Sequence, residues 1–144
     1  MQPEVHVTGR RPDGWIDKTM TIYSAPPASG QAIAANIVIA RDALAEGETF
    51  RNYCNRQIDG FRTTLPHFER EEERPGRIRE HDAFHIRFVW QSGAGLLRQQ
   101  VFFIAASAET IVTYTTTAAA EDFAGHQEIF DAGLADLRLA SNDG

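Results

Sequence analysis

Residues 83–104 read AFHIRFVWQSGAGLLRQQVFFI, and this stretch decides the fold because it contains a complete β-hairpin. From Ala83 to Gln91, large apolar residues alternate with smaller or polar ones, which is the period of a β-strand. The segment Ser92-Gly93-Ala94-Gly95 has the glycines of a tight turn, and Leu96–Ile104 is a second apolar segment. The stretch therefore predicts two antiparallel strands joined by a short loop.

Further strands are predicted on both sides of this hairpin. In these segments apolar and polar residues alternate, or β-branched residues are frequent, and glycine or proline lies at their ends. Pro12–Trp15 and Pro26–Gly30 predict a turn and a loop, and Pro75-Gly76 predicts a turn between two short polar strands. The predicted strands are Val5–Thr8, Lys18–Ser24, Ile33–Arg41, Phe68–Arg74, Arg77–His81 and Thr110–Thr116.

Two segments have the apolar spacing of helices. The first, Thr49–Leu65, begins with a residue suited to cap a helix N-terminus and is followed by Pro66, which favours a stop. Gly60 weakens this helix by about 1 kcal/mol relative to alanine, which predicts a close packing contact there. The second predicted helix is Glu121–Leu139. The order of elements predicts an α+β fold with a largely antiparallel sheet and two main helices.

The size and charge of the chain limit its organisation and its partners. At 144 residues and 16.0 kDa, it is predicted to be a single domain, 1–144, with a loose tail at 141–144. Its formal net charge of −6 disfavours nucleic acid, because phosphate binding requires clustered positive charge. The sequence shows neither an apolar stretch of about 20 residues nor a signal peptide. These features predict a cytoplasmic protein without direct membrane insertion.

The sequence contains no motif typical of catalysis or cofactor binding, such as a nucleophile elbow, a phosphate-binding glycine loop, HExxH or CxxC. His81 and His85 are four residues apart on a predicted strand, about 13 Å, which is too far to share a metal ion. The mixed charges of Glu69–Arg74 suit a solvated edge strand. Cys54 lies on an apolar helix face without a base beside it, and a single cysteine excludes an intrachain disulfide. We therefore expect a non-enzymatic protein with no cofactor and no metal.

Two predicted strands carry apolar residues on both faces, although one face of a half-buried strand should be polar. Ile33–Arg41 has apolar or small residues on both sides, interrupted by Asn36. Leu96–Ile104 is similar, and Met20 and Ile22 add a row on a third strand. Two interpretations remain open. Either the two helices cover both faces of the sheet, or one face forms an apolar groove that receives a partner.

Four segments carry a resemblance to a known family: PDGWIDKT at 12–19, NIVIARD at 36–42, YCNRQ at 53–57 and RQQVF at 98–102. In this order and spacing they resemble the DcrB-like domain, from Val5 to Leu139. More closely, they resemble its cytoplasmic branch, the Eag chaperones of type VI secretion. The resemblance implies a PsbP-like α/β sandwich, a homodimer and a binding role without catalysis.

The resemblance also implies a partner and a site. Members of that family hold the N-terminal transmembrane helices of PAAR-containing effectors, often Rhs proteins, until the effector is loaded onto the secretion spike. The surplus apolar rows coincide with the implied groove, and they exceed what two helices can cover in a monomer, which again predicts a homodimer. The groove residues implied by the resemblance are Met20, Ile22, Asn36, Val38, Ala40, Gln57, Phe61, Leu65, Leu96 and Gln100.

The sequence departs from the family where smaller or more polar residues can line the groove. Asn36, Ala40 and Phe61 stand at such positions, which implies a narrower groove or one suited to a different helix. Three other classes of protein remain as alternatives. One is a periplasmic lipoprotein of the DcrB type, which needs a signal sequence and a lipobox cysteine that Cys54 does not supply. The others are a small-molecule-binding or enzymatic member of the fold and a component of a larger assembly.

Overall fold

A six-stranded antiparallel sheet forms the centre of the part of the chain that the computed structural model describes, residues 9–26 and 33–139. Its strands lie in the order β1-β2-β6-β5-β4-β3, and each neighbouring pair is antiparallel. The α+β prediction and the antiparallel sheet are therefore confirmed. The strands are β1 (Met20–Ser24), β2 (Asn36–Ala43), β3 (Glu69–Ile78), β4 (His81–Ser92), β5 (Gly95–Ala105) and β6 (Thr110–Ala119).

The first helix, α1, spans Phe50–Thr64 and agrees with its prediction. The Thr49 hydroxyl accepts a hydrogen bond from the Asn52 amide at 3.1 Å, which satisfies one of the free donors at the helix start. Leu65 is already extended, as expected for the residue before Pro66. The close contact predicted at Gly60 is wrong, because nothing lies within 4 Å of the position a Cβ would take there.

The second helix is shorter than predicted. A 3₁₀ turn at Phe123–His126 leads into α2, Gln127–Ala135, so the single helix expected over Glu121–Leu139 is wrong. The chain leaves the helix after Ala135, and buried Leu137 then packs with Ile104 and Tyr114 of the sheet. Burial of this leucine against two strands therefore accompanies the early end of the helix.

The predicted turn at Pro75-Gly76 is also wrong, since both residues lie inside β3. Pro75 faces Phe84 of β4. β3 is an edge strand, and an edge strand tolerates proline because half of its backbone N–H groups need no partner strand. The turn comes at Arg79, which has a positive φ of 56°, between the end of β3 and the start of β4. One long strand therefore replaces the two short ones predicted.

The other boundaries follow the sequence patterns more closely. The β4–β5 hairpin is confirmed, with Ser92 paired to Gly95. β1 and β2 begin later than predicted, and β6 continues to Ala119. The predicted strand Val5–Thr8, most of the loop after Pro26 and the tail at 141–144 lie outside the described residues.

Each helix packs on one face of the sheet, and we name the faces after the helices. α1 packs on β4, β5 and the start of β6. α2 and the segment after it pack on the opposite side. The core on the α1 face consists of Tyr53, Cys54, Ile58, Ile86, Phe88, Val101, Phe103 and Ile111. The core on the α2 face consists of Ala35, Ala83, Ile104, Tyr114, Ala118, Phe123, Phe130 and Leu137.

Candidate functional site

Part of the α1 face is left uncovered by α1. Strand register places Met20 opposite Ala40 and Ile22 opposite Val38. These four residues share the α1 face because Val38 is in turn opposite Thr115, whose partner Val101 lies in the α1 core. Met20 and Ile22 are 56% and 57% exposed. Among the described residues, none of the α1-face side chains of β1 or β2 belongs to that core. We call this surface the open face.

The centre of the open face consists of two rows of side chains that run across the strands, and we call these two rows the floor. One row contains Ile22, Val38 and Thr115, and the other contains Met20, Ala40 and Thr113. Val38 and Ala40 are half-buried, as are the two threonines. Because paired strands hold these side chains about 5 Å apart, they form a continuous, mostly apolar surface across β1, β2 and β6.

A polar row bounds the floor at one end. Gln99 accepts a hydrogen bond from the Trp90 indole N–H at 2.6 Å and donates one to the Thr117 hydroxyl at 2.8 Å. Thr117 is paired with Asn36 of β2. The Asn36 side-chain oxygen is buried and has no hydrogen-bond partner among the residues that the structure describes. This row therefore combines a satisfied pair with one acceptor that is free for a donor from elsewhere.

The other end of the floor is closed by a contact between α1 and β2. The Tyr53 hydroxyl donates a hydrogen bond to the Asp42 carboxylate at 2.9 Å. Burial and the neighbouring Asp42 charge raise the pKa of the Tyr53 hydroxyl well above its usual range, so it stays protonated as the donor. The contact also shows which flank of α1 faces β2. Gln57, half-buried, lies one turn further along on that flank.

Two of the predicted groove residues hold α1 on the sheet. The Phe61 ring lies 5.1 Å from the ring of Phe88 and 6.5 Å from that of Phe103, measured between centroids. Leu65 also packs against the α1 core. Helix α1 borders the open face as a wall on one side. Because both side chains are partly buried beneath this helix, they belong to the base of the wall and not to the floor.

The structure separates Leu96 and Gln100 from the other predicted groove residues. Gln100 is paired with Thr116 and Arg87, and these residues lie on the α2 face. It is 8% exposed, whereas Leu96, on the same face, is 45% exposed. The prediction that both share a face with Met20 and Ile22 is wrong, because alternation along β5 sends even-numbered residues to the α2 side.

Sequence reasoning missed the residues that replace them. Gln99, Thr113, Thr115 and Thr117 complete the open face and its polar row. The sequence did contain a signal for Gln99. It lies two residues before the apolar Val101, so their side chains point to the same face of the strand, and the side chain of Gln100 points to the other. The threonines of β6 gave no signal, because their face depends on pairing with distant strands.

The groups on the open face offer apolar contact and hydrogen bonds. The nearby Cys54 thiol is 1% exposed, and burial raises its pKa to about 12, so it is not a reactive thiolate at neutral pH. In residues 9–26 and 33–139, no group of three or more His, Cys, Asp or Glu side chains is placed to hold a metal ion. No helix described there is both long and apolar enough to cross a membrane.

Solved structures share this architecture. The Pseudomonas aeruginosa protein PA94, described as a putative regulator of unknown function, has a TM-score of 0.79 and 27% identity, with 91% of this chain and 90% of that chain covered. LpqN of Mycobacterium tuberculosis, involved in cell envelope biogenesis, has a TM-score of 0.55 and 12% identity over 83% and 82% of the two chains. PsbP of Synechocystis has a TM-score of 0.51 and 9% identity over 86% and 94%. The last two show the fold alone and confirm that it is PsbP-like.

Sequence comparisons identify the family. This chain is 37% identical over 109 residues to Effector EagT6 of Pseudomonas aeruginosa strain PAO1, and the alignment covers 75% of each chain. The model of the DcrB family matches residues 10–135. This match includes the six strands and the two α-helices of the described part of the chain, and all residues of the open face. The chain therefore belongs to the DcrB family.

Proposed function

We propose that this protein is a cytoplasmic adaptor of type VI secretion that binds an effector and shields the effector's apolar N-terminal helices from water. The 37% identity to Effector EagT6 supports the connection with secretion and with an effector as partner. The observation that carries the binding role is the open face, on which Met20 and Ile22 are more than half exposed. In this proposal the protein is a binding protein and not an enzyme.

The guest proposed is the N-terminal transmembrane region of a PAAR- or Rhs-type effector, and the dimensions of the open face suit a helix. From Asn36 to Asp42, which are six residue steps apart along β2, the face measures about 20 Å. A helix rises about 1.5 Å per residue, so this length accommodates about 13 of its residues. That is more than half of the roughly 20 apolar residues in a membrane span. One open face therefore shields one side of most of one transmembrane helix.

Energetics favour a homodimer as the working unit. Burying a large apolar side chain contributes about 1.5–3 kcal/mol, and the floor offers only Met20, Ile22 and Val38 as large apolar contacts. Association costs an estimated 4–15 kcal/mol, so a single open face binds weakly. Two faces that bind two linked helices gain from the high effective concentration of the second helix. The proposal therefore includes two copies of the chain per guest.

Polar groups at the margins of the floor would select the guest. The free acceptor on Asn36 and the amide of Gln57 stand on two sides of the apolar floor. In a water-excluded interface, a donor on the guest that meets such an acceptor avoids the cost of an unpaired polar group. Guest helices with a small polar residue at the matching depth should therefore bind better than purely apolar ones.

The test is co-expression with N-terminal segments of about 60 residues, enough for two membrane-spanning helices and their connection, from the type VI effectors of the same genome. Val38→Asp should abolish co-purification, because an unpaired carboxylate cannot be buried against an apolar helix. Ile129→Asp is the control, since Ile129 on α2 is 62% exposed and lies outside the open face. Normal capture by Val38→Asp, with an unchanged melting temperature, would overturn the proposal.

A further inference from the structure

The two edges of the described sheet differ in how they are protected. β3 forms one edge, and its ten residues include three arginines and four glutamates as well as Pro75. Charges and proline at an edge strand prevent it from pairing with another chain. β1, Met20–Ser24, forms the other edge and has the sequence MTIYS, without charge or proline. All five of its residues are exposed.

Exposed apolar side chains are concentrated at the β1 edge. Seven large hydrophobic side chains are exposed in the described part of the chain, and five of them lie between Trp15 and Tyr23. Tyr23 is 60% exposed and points to the α2 face, whereas Met20 and Ile22 point to the α1 face. The edge is therefore apolar on both faces, which solvent-exposed edge strands normally avoid.

The backbone groups that this edge presents follow from the ladder between β1 and β2. The Ala25 amide donates to the Ala35 carbonyl at 2.8 Å, so these two residues form a hydrogen-bonded pair. Hydrogen-bonded and non-hydrogen-bonded pairs alternate in an antiparallel ladder. Thr21 and Tyr23 therefore point their backbone groups towards β2. Met20, Ile22 and Ser24 point theirs outwards.

We propose that the β1 edge pairs with the β1 edge of a second copy of this chain, antiparallel and centred on Ile22. Ile22 then faces the partner's Ile22, and Met20 faces the partner's Ser24. Each of these pairs exchanges two hydrogen bonds. A strand that is uncharged and exposes the backbone of its central residue is self-complementary about a two-fold axis, as a closed dimer requires. This assignment rests on the homodimer of the proposed function and gives it an interface.

The pairing changes the shape of the candidate site. A single open face has α1 as a wall on one side and ends at β1 on the other. In the paired sheet, the two open faces become continuous, with an α1 helix as the wall at each end. Strands β6, β2 and β1 of both copies span about 24 Å at about 4.8 Å per strand interval. Two helices side by side, each about 10–12 Å wide, fill that width.

The first test uses the free protein, without an effector. Sedimentation at micromolar concentration should give about twice the chain mass of 16.0 kDa. Amide hydrogen exchange should show protection of Ile22 that is lost as the protein is diluted into monomers. The Tyr23 amide should stay protected at every concentration, because it bonds within the chain. A monomeric protein, or an Ile22 amide that is protected in the monomer, would overturn the proposal. Protection that appears only when an effector segment is added would overturn it as well.

The second test uses proline, which removes one N–H group. Ser24→Pro deletes an outward amide, so the fold should be kept while the mass falls to 16.0 kDa. The matched control, Tyr23→Pro, deletes an inward amide and should lower the melting temperature. If the Ser24→Pro variant dimerises as tightly as the parent, the β1 edge is not the dimer interface. If Val38→Asp still abolishes capture in that case, the interface assignment fails while the proposed function stands.

Discussion

Gln99 and Gln100 are neighbours on β5, yet their side chains lie on opposite faces of the sheet. Gln99 joins Trp90 to Thr117 on the α1 face through hydrogen bonds of 2.6 and 2.8 Å. Gln100 is 8% exposed on the α2 face. Because a strand alternates its side chains, a shift of one residue decides whether a glutamine borders the candidate groove or the opposite core.

This arrangement predicts different effects for two glutamine substitutions. Gln57→Ala should weaken capture of an effector segment and leave the melting temperature nearly unchanged, because its amide is partly hydrated in the free protein. Gln100→Ala should lower the free energy of unfolding by about 1–3 kcal/mol and leave capture intact, because it removes a buried side chain from the α2 face. Thermal melts and co-purification of the two variants check both expectations. The opposite pattern would contradict the assignment of faces.

Two glycine substitutions should have effects of opposite sign. Gly60→Ala should stabilise the protein by about 1 kcal/mol, because alanine favours the helix and a Cβ at that position has open space. A Cβ at Gly133 would overlap the Tyr114 hydroxyl, which donates to the Phe130 carbonyl at 2.7 Å. Gly133→Ala should therefore lower the free energy of unfolding by about 1–3 kcal/mol, although alanine has a better helix propensity than glycine. Urea unfolding of both variants measures the difference, and equal stabilisation would show that α2 packs less closely than described.

His85 should make the protein less stable in mild acid. His85 is 5% exposed, and within residues 9–26 and 33–139 neither of its ring nitrogens has a hydrogen-bond partner. Burial lowers the pKa of the imidazole below 6.5. The charge of Glu72 opposes this shift, while Arg74 and Arg87 add to it. The unfolded chain therefore binds a proton more readily than the folded one. The contribution of His85 to the free energy of unfolding is therefore fully present above pH 6.5. It is lost as the pH falls below that value, by at most about 1.4 kcal/mol per pH unit.

The measurement compares the parent with His85→Leu by urea unfolding from neutral to mildly acidic pH. The variant lacks the titrating group, so its stability should fall less steeply with acid. It should also be at least as stable as the parent at low pH, because two unpaired polar atoms are removed. Identical slopes for parent and variant would show that His85 gains a proton in the folded state as easily as in the unfolded one.

The thiol of Cys54 should report unfolding of the α1 core. It is 1% exposed, and burial raises its pKa to about 12. A thiol-specific reagent near pH 8 should therefore label the native protein only as fast as the core opens, and should label the urea-unfolded protein at once. Substitutions in the α1 core, such as Phe88→Ala, should speed the labelling of the native state. Rapid complete labelling of the folded parent would contradict the buried position of this helix face.

Local signals in the sequence were sufficient for several elements. Thr49 and Pro66 delimit α1, and the glycines at 93 and 95 mark the β4–β5 hairpin. These signals act within a few residues, through capping bonds and allowed backbone angles. The same reasoning failed at Pro75, because proline in an edge strand and proline in a turn look alike in sequence. It also failed at α2, whose end is accompanied by the burial of Leu137 against distant strands.

The sequence by itself determined the α+β class, the position of α1 and the alternation that divides each strand into two faces. It also determined that Met20 and Ile22 share a face, as do Asn36, Val38 and Ala40. Only the tertiary structure decided which face of β5 continues these rows, and therefore that Gln99 and not Gln100 lies beside them. The physical reason is that alternation is a property of a single strand. The register between strands, and the side on which α1 packs, arise from contacts between residues far apart in the chain.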